Sequence, residues 1–451
     1  MTELARKLRL TDYFTLGWGT MVGVGWLVVM DDWLARGGPL GAILGFAIGG
    51  SVLLPIAYVY GQLIAAMPDA AGEIAYTAKV FPRAVSFATG WMMLLSYFVV
   101  CPWEAVAVGR IAAFIFPALD RFELYRVAGK PVFLPQLVLG VGLTIVLTIL
   151  NYRGIRVSAT FQNWTTFCTL GLFVVFVSFG AAHGSAHNFP PLFSHTPLLS
   201  IILVIHIVPY FMAGFESVAK CAEEATPEFR SGNFLRAMWM AIIVAIVFYT
   251  IIIAAVAYAS PWQNLPSGTF STAVAFERAL GSRWIVSLIL TAALLSLLKV
   301  FNGNFIAASR LLFALGRRGL INHSVGSVHP RNQTPAIAVI LMGIATAVAM
   351  FLGEAILVPI TEVGSAAAAI GWFAACAAYL RMQPVRAQRA VALAGILIAI
   401  GLALMKLLPF VPGHFTGYEW VALTAWLALG LLLHRPAVAT RTRHAKSGAE
   451  A

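Results

Sequence analysis

The chain has 451 residues, of which 60% are hydrophobic and only 11% charged, with a mean hydropathy of +0.86. A soluble domain carries about 25% charged and about 45–50% apolar residues, so this composition excludes a soluble protein and places the chain in a bilayer. The net charge of +12 would suggest nucleic acid in a soluble chain, but here it is read first as an asymmetry between the loops on the two sides of a membrane.

A spanning helix needs about 20 apolar residues. Twelve segments meet that need, near 12–35, 40–66, 84–116, 132–150, 158–182, 198–221, 233–259, 284–315, 335–352, 356–380, 389–408 and 417–434. Residues 1–11, with Arg6, Lys7 and Arg9, form a basic N-terminus. The run behind them is long and Gly-rich and lacks a small-residue cleavage site, so it is not a signal peptide. The first span contains Gly17-Trp18-Gly19-Thr20-Met21-Val22-Gly23-Val24-Gly25-Trp26, and each glycine costs a helix about 1 kcal/mol against alanine, so a break is expected there. The second carries Gly37, Gly41, Gly45 and Gly49 at four-residue intervals, a flat face on which another helix can lie. The third contains Cys101-Pro102-Trp103-Glu104-Ala105, with a carboxylate at membrane depth. Cys101, Cys168, Cys221 and Cys376 lack metal-ligand spacing and read as small core residues; neither a disulfide framework nor a metal site is expected. His183, His187 and His195 in the loop after the fifth span do not form a catalytic cluster, and no enzyme or cofactor is expected. The sixth span contains Pro209-Tyr210-Phe211-Met212-Ala213-Gly214-Phe215-Glu216, where the proline removes a backbone donor and the glycine permits an unwound turn. Lys299, in the eighth, is the one basic residue deep in an expected span, and residues 435–451 form a basic tail.

An even number of spans puts both termini on one side. Most of the 30 Lys and Arg residues fall in loops of that side, among them Arg153, Arg156, Arg230, Arg236, Arg317, Arg318, Arg381 and Arg386. The positive-inside rule then predicts a multi-pass cytoplasmic-membrane protein with both termini in the cytoplasm, its basic charge facing the inner membrane surface rather than a nucleic acid. Lipid does not tolerate free backbone groups, so broken helices persist where they line a cavity or a ligand. The breaks open the first and sixth spans. Residues 12–182 and 198–380 therefore read as two five-helix units of opposite orientation, an inverted repeat with its site at the paired breaks, and helices 11 and 12 (389–434) as an appendix.

These same residues carry a resemblance. Gly19-Thr20-Met21-Val22-Gly23-Val24-Gly25, the loop Met67-Pro68-Asp69-Ala70-Ala71-Gly72-Glu73-Ile74-Ala75-Tyr76, the stretch from Gly214-Phe215-Glu216 to Glu223-Glu224-Ala225-Thr226-Pro227, and Asn302 with Ser309-Arg310-Leu311-Leu312-Phe313-Ala314 resemble, in this order, the amino acid-polyamine-organocation permeases. The resemblance implies an all-α membrane protein of twelve helices with the LeuT-type 5+5 inverted repeat. It implies that a substrate carboxylate meets the NH groups of Val24 and Gly25, with Gly23 giving close approach. The ammonium would meet the carbonyls of Met21, Tyr210 and Ala213, beside the unwound Gly214. Half-helix dipoles favour both placements. Tyr210 and Phe211 are either an aromatic gate or core packing.

The titratable residues leave alternatives open. Glu104 either selects a cationic group on the solute or pairs with Lys299, since a buried carboxylate is costly without a partner. Asp31 and Asp32 either attract cations or form a solvated vestibule. Lys299 lies one turn before Asn302, close to where sodium-coupled relatives of the fold build a cation site. An ammonium there can replace the ion, giving a sodium-independent carrier that is proton-linked or an exchanger, or else it is a static salt bridge. Glu216 is a second proton candidate by resemblance; His206 reads as a packing residue and Glu362 as a helix cap. The expected function is secondary transport of an amino acid or related organic amine by alternating access, as a monomer or homodimer. An inorganic cation transporter of the same fold, a membrane enzyme and a non-transporting sensor are the rivals.

Overall fold

The computed structural model describes residues 3–265, 271–281, 283–409, 411 and 414–435. The basic tail expected over 435–451 therefore lies, beyond Arg435, outside the described residues. Helix α1 (Leu10–Met21) begins behind Arg9, whose NH donates to Asp12 at 2.8 Å. Residues 22–24 are not helical, and the chain resumes in α2 (Gly25–Val28) and α3 (Met30–Ser51). Helix α3 turns sharply at Gly38, whose φ of 64° is open to glycine at little cost, and Pro39 starts the next helix from that turn. A Cβ at position 38 would also lie 2.7 Å from the Leu192 carbonyl oxygen. Helix α4 (Leu54–Ala66) completes the second segment, and α5 (Glu73–Val80) is a short loop helix. Helices α6 (Arg83–Phe98) and α7 (Val100–Ile115) make one long segment.

The antiparallel hairpin of β1 (Glu123–Val127) and β2 (Lys130–Phe133) follows, turning through Ala128 and Gly129, both with positive φ. It is a departure from the purely helical expectation. Next come α8 (Leu134–Arg153), α9 (Ile155–His183), α10 (Pro197–Ile205), α11 (Val208–Met212) and α12 (Ser217–Lys220). The remainder are α13 (Gly232–Ala259), α14 (Ser271–Leu280), α15 (Arg283–Arg317), α16 (Ala336–Ala349), α17 (Gly353–Arg381), α18 (Arg386–Leu407) and α19 (Gly417–Leu433).

Among the described residues, nine helical stretches are long and apolar enough to cross a bilayer, and ten if α10 with α11–α12 counts as one span bent by 44°. The chain is thus a multi-pass, all-α membrane protein bearing one small hairpin. The first and last expected segments fall short as single helices, at 12 residues in α1 and 17 in α19.

The glycine stripe has its partner. Cβ atoms built at Gly41, Gly45 and Gly49 would fall within 3 Å of Ser200, Val204 and Val208, so α10 and the start of α11 lie directly on α3. The break expected in the Gly17–Trp26 stretch falls at residues 22–24, and Gly17 and Gly19 stay helical within α1. They let Ala241 and Gln162 approach the helix, with Gln162 occupying the place where a side chain at position 19 would stand.

Candidate functional site

The two interruptions touch each other. After α11 the chain unwinds over residues 213–216, where Gly214 adopts φ 121°. A Cβ there would lie 2.9 Å from Thr20 Cγ2 and 3.0 Å from the Thr20 backbone carbon, so the second break rests on the end of α1. Phe211 covers the first break from the other side. Its ring lies against Gly25, where a Cβ would come within 2.5 Å of it, and stands edge-on to Trp33 at 4.9 Å. Tyr249 ties it down by donating to its carbonyl at 3.2 Å.

Between the breaks is a cavity of about 550 Å³. It is lined by Met21, Gly23, Val24, Gly25, Glu104, Tyr210, Phe211, Ala213 and Gly214, all nine residues singled out in the sequence as substrate contacts, with Glu216 beside them. Among the described residues, the NH groups of Val24 and Gly25 donate to no acceptor, and the carbonyls of Met21, Tyr210 and Ala213 accept no hydrogen bond. The cavity therefore presents main-chain donors at one break and main-chain acceptors at both, the end groups that a helix leaves unpaired.

Lys299 does not line this space. It is fully buried behind the first break, where its ammonium donates to the Val22 carbonyl and sits 4.7 Å from the centre of the Trp18 ring. Ser296 donates to the Gly23 carbonyl at 3.0 Å. The direct pair between Lys299 and Glu104 is not formed: no ion pair joins them, and Glu104 is 4% exposed with Oε2 lacking a hydrogen-bond partner. Glu216 is held by the Gly214 NH at 3.1 Å.

Toward the hairpin the cavity reaches exposed Arg110 and Lys130, which share Glu354; Asp32 pairs with Arg36 at 2.7 Å, and Glu362 with Lys406. Glu362 is thus a mouth residue rather than the helix cap the sequence suggested, and His206 lies on the wall.

The opposite face is closed by charge. Arg317 bridges Asp69 at 2.9 Å and Glu223, Arg318 reaches Asp69 at 2.5 Å, and Glu223 accepts the Ala70 NH at 3.0 Å. Deeper, Arg310 grips Glu224 with two hydrogen bonds of 3.1 and 3.0 Å, both residues fully buried. The N-terminal segment is tied in where Thr226 donates to the Leu8 carbonyl at 3.0 Å. Burial pushes the Asp69 carboxyl up, but Arg318, the Ala71 NH and Arg317 outweigh it and hold the group below the usual carboxylate range. Asp69 therefore keeps its negative charge at neutral pH and loses it only as pH falls through that lowered value. Three sequence motifs far apart in the chain are in this way parts of one closure.

Comparison with known proteins adds the identity. A model of the amino acid permease family matches residues 8–432. The chain belongs to the amino acid permease family. It is 25% identical to the methylthioribose transporter of Bacillus subtilis, over 96% of this chain and 93% of that protein. It is 23% identical to a branched-chain amino acid permease of the same organism, with the same coverage, and 26% identical to vacuolar cationic amino acid transporter 4 of Arabidopsis thaliana, over 85% of this chain and 64% of the relative.

One feature of this permease escaped the sequence reading. Lys220 is a second buried lysine: its ammonium contacts Glu73 Oε1, both residues are wholly enclosed, and Tyr60 donates to the same oxygen at 2.5 Å. Lys220 also donates to the Glu216 carbonyl at 3.2 Å, one turn back. The pair locks loop helix α5 to α12, directly beneath the cavity floor. The signal available was Lys220 lying one turn after Glu216 in an otherwise apolar segment.

Proposed function

We propose that this permease is a sodium-independent secondary transporter that moves an amino acid or related organic amine across the cytoplasmic membrane by alternating access. In this reading twelve helices carry the LeuT-type 5+5 inverted repeat, α1–α2 and α11–α12 are its paired broken helices, α18 and α19 are the appendix, and both termini are cytoplasmic. The observation that supports it best is the cavity at the touching breaks, open toward the hairpin and closed by ion pairs on the terminal face. That is one of the two states an alternating-access carrier must visit. The substrate carboxylate takes the free NH groups of Val24 and Gly25, and the ammonium takes the carbonyls of Met21, Tyr210 and Ala213. The amino acid permeases among its relatives support the solute class.

Lys299 supports sodium independence. Its ammonium already satisfies the Val22 carbonyl, at a place where a bare cation would otherwise serve. Coupling then runs by protons, with Lys299 and Glu216 as carriers, or by exchange. The test is uptake of a labelled amino acid mixture into vesicles containing the purified protein. Uptake should be unchanged when sodium is replaced by choline and should be driven by an inward proton gradient or by internal amino acid. Lys299→Met should lower it by at least about tenfold, as a buried carbonyl end loses its counter-charge. An absolute sodium requirement would overturn the reading.

A further inference from the structure

The cavity wall distributes its charges unevenly. At the mouth each carboxylate has a cation: Asp32 has Arg36, Glu354 has Arg110 and Lys130, and Glu362 has Lys406. At the floor Glu216 accepts the Gly214 NH. Glu104 has neither kind of partner among the described residues. It is 4% exposed, its Oε2 is enclosed without a hydrogen bond, and its Oε1 faces the first break, 3.8 Å from where a Cβ of residue 23 would stand. Lys299 does not serve it by contact, because that ammonium is committed to the Val22 carbonyl and the Trp18 ring. A carboxylate at this depth with no cation in contact with it is an unfilled demand for positive charge. The main-chain groups at the breaks already match one carboxylate and one ammonium, so the demand of Glu104 comes in addition to them.

We infer that the solute is a cationic α-amino acid, whose second ammonium or guanidinium group is received by Glu104. This rests on the reading above, that the breaks hold an amino acid by its ends. A neutral side chain of the same length would leave Glu104 buried and unmatched, which is how a polar site rejects an apolar isostere. A diamine would satisfy Glu104 but leave the Val24 and Gly25 donors without their anion.

The test measures displacement of labelled lysine from the purified full-length protein by lysine, arginine, norleucine and cadaverine, repeated with Glu104→Gln. In the wild type, lysine and arginine should bind at least about 100-fold more tightly than norleucine or cadaverine. Glu104→Gln should remove the preference over norleucine, with the variant still monodisperse and norleucine binding retained. Equal wild-type affinity for lysine and norleucine would overturn the inference whatever the variant does, and so would a preference that survives Glu104→Gln. In either case binding of neutral amino acids would leave the transporter reading intact. If labelled amino acids and amines of every class fail to bind, both readings fall.

Discussion

Lys220→Met, purified in detergent, is expected to unfold well below the wild type, losing about 3–5 kcal/mol of stability. The lysine is wholly enclosed and contacts Glu73, which is equally enclosed. Removing it leaves a carboxylate whose Oε1 keeps one hydrogen bond from Tyr60 and whose Oε2 has none. The rings of Tyr60 and Tyr97, 5.5 and 5.4 Å from the ammonium, lose their cation as well. The informative comparison is the double variant Glu73→Gln with Lys220→Met, which removes both charges. It should recover more than half of the loss, because the cost of breaking a buried pair lies chiefly in the charge left behind. A double variant as unstable as the single one would show that packing, rather than the ion pair, holds α5 to α12.

The second large effect is expected at Gly214. Its φ of 121° disfavours every L-residue with a side chain, and a Cβ would stand 2.9 and 3.0 Å from atoms of Thr20. Gly214→Ala should therefore cost about 2–4 kcal/mol from backbone strain and overpacking together. Because the relief available is to push the two breaks apart, amino acid binding should fall further than melting temperature does. Gly142→Ala is the control: it lies in α8, where a Cβ would meet nothing within 4 Å. It should be neutral or slightly stabilising, since alanine favours the helix. Binding by Gly214→Ala equal to the control's would mean that the contact between the breaks does not shape the site.

The legible part of this molecule was whatever one short stretch of chain decides. Composition dictated the membrane, and Gly23 and Gly25, with Pro209 and Gly214, marked where helices yield. The Gly41-Gly45-Gly49 stripe announced a close helix contact, though not that Ser200, Val204 and Val208 would fill it. What the sequence hid is partnership over distance. Glu73 and Lys220 are 147 positions apart, and Asp69 meets Arg317 across 248. The charges alone offer many pairings, and only the folded bundle selects among them. Where within the glycine run the first helix breaks stayed open for a related reason. Gly17 and Gly19 are used for close packing by Ala241 and Gln162, which a run of glycines cannot reveal by itself. The hairpin of Glu123–Val127 and Lys130–Phe133 went unseen because it is a short two-stranded loop element between far longer apolar runs.

The central claim is that two touching helix breaks hold the solute through main-chain groups, and an experimental structure of the protein with a bound amino acid tests it most directly. The carboxylate should lie within hydrogen-bond distance of the Val24 and Gly25 NH groups, and the α-ammonium against the carbonyls of Met21, Tyr210 and Ala213. A ligand seated elsewhere, with those five groups facing water or protein, would contradict it.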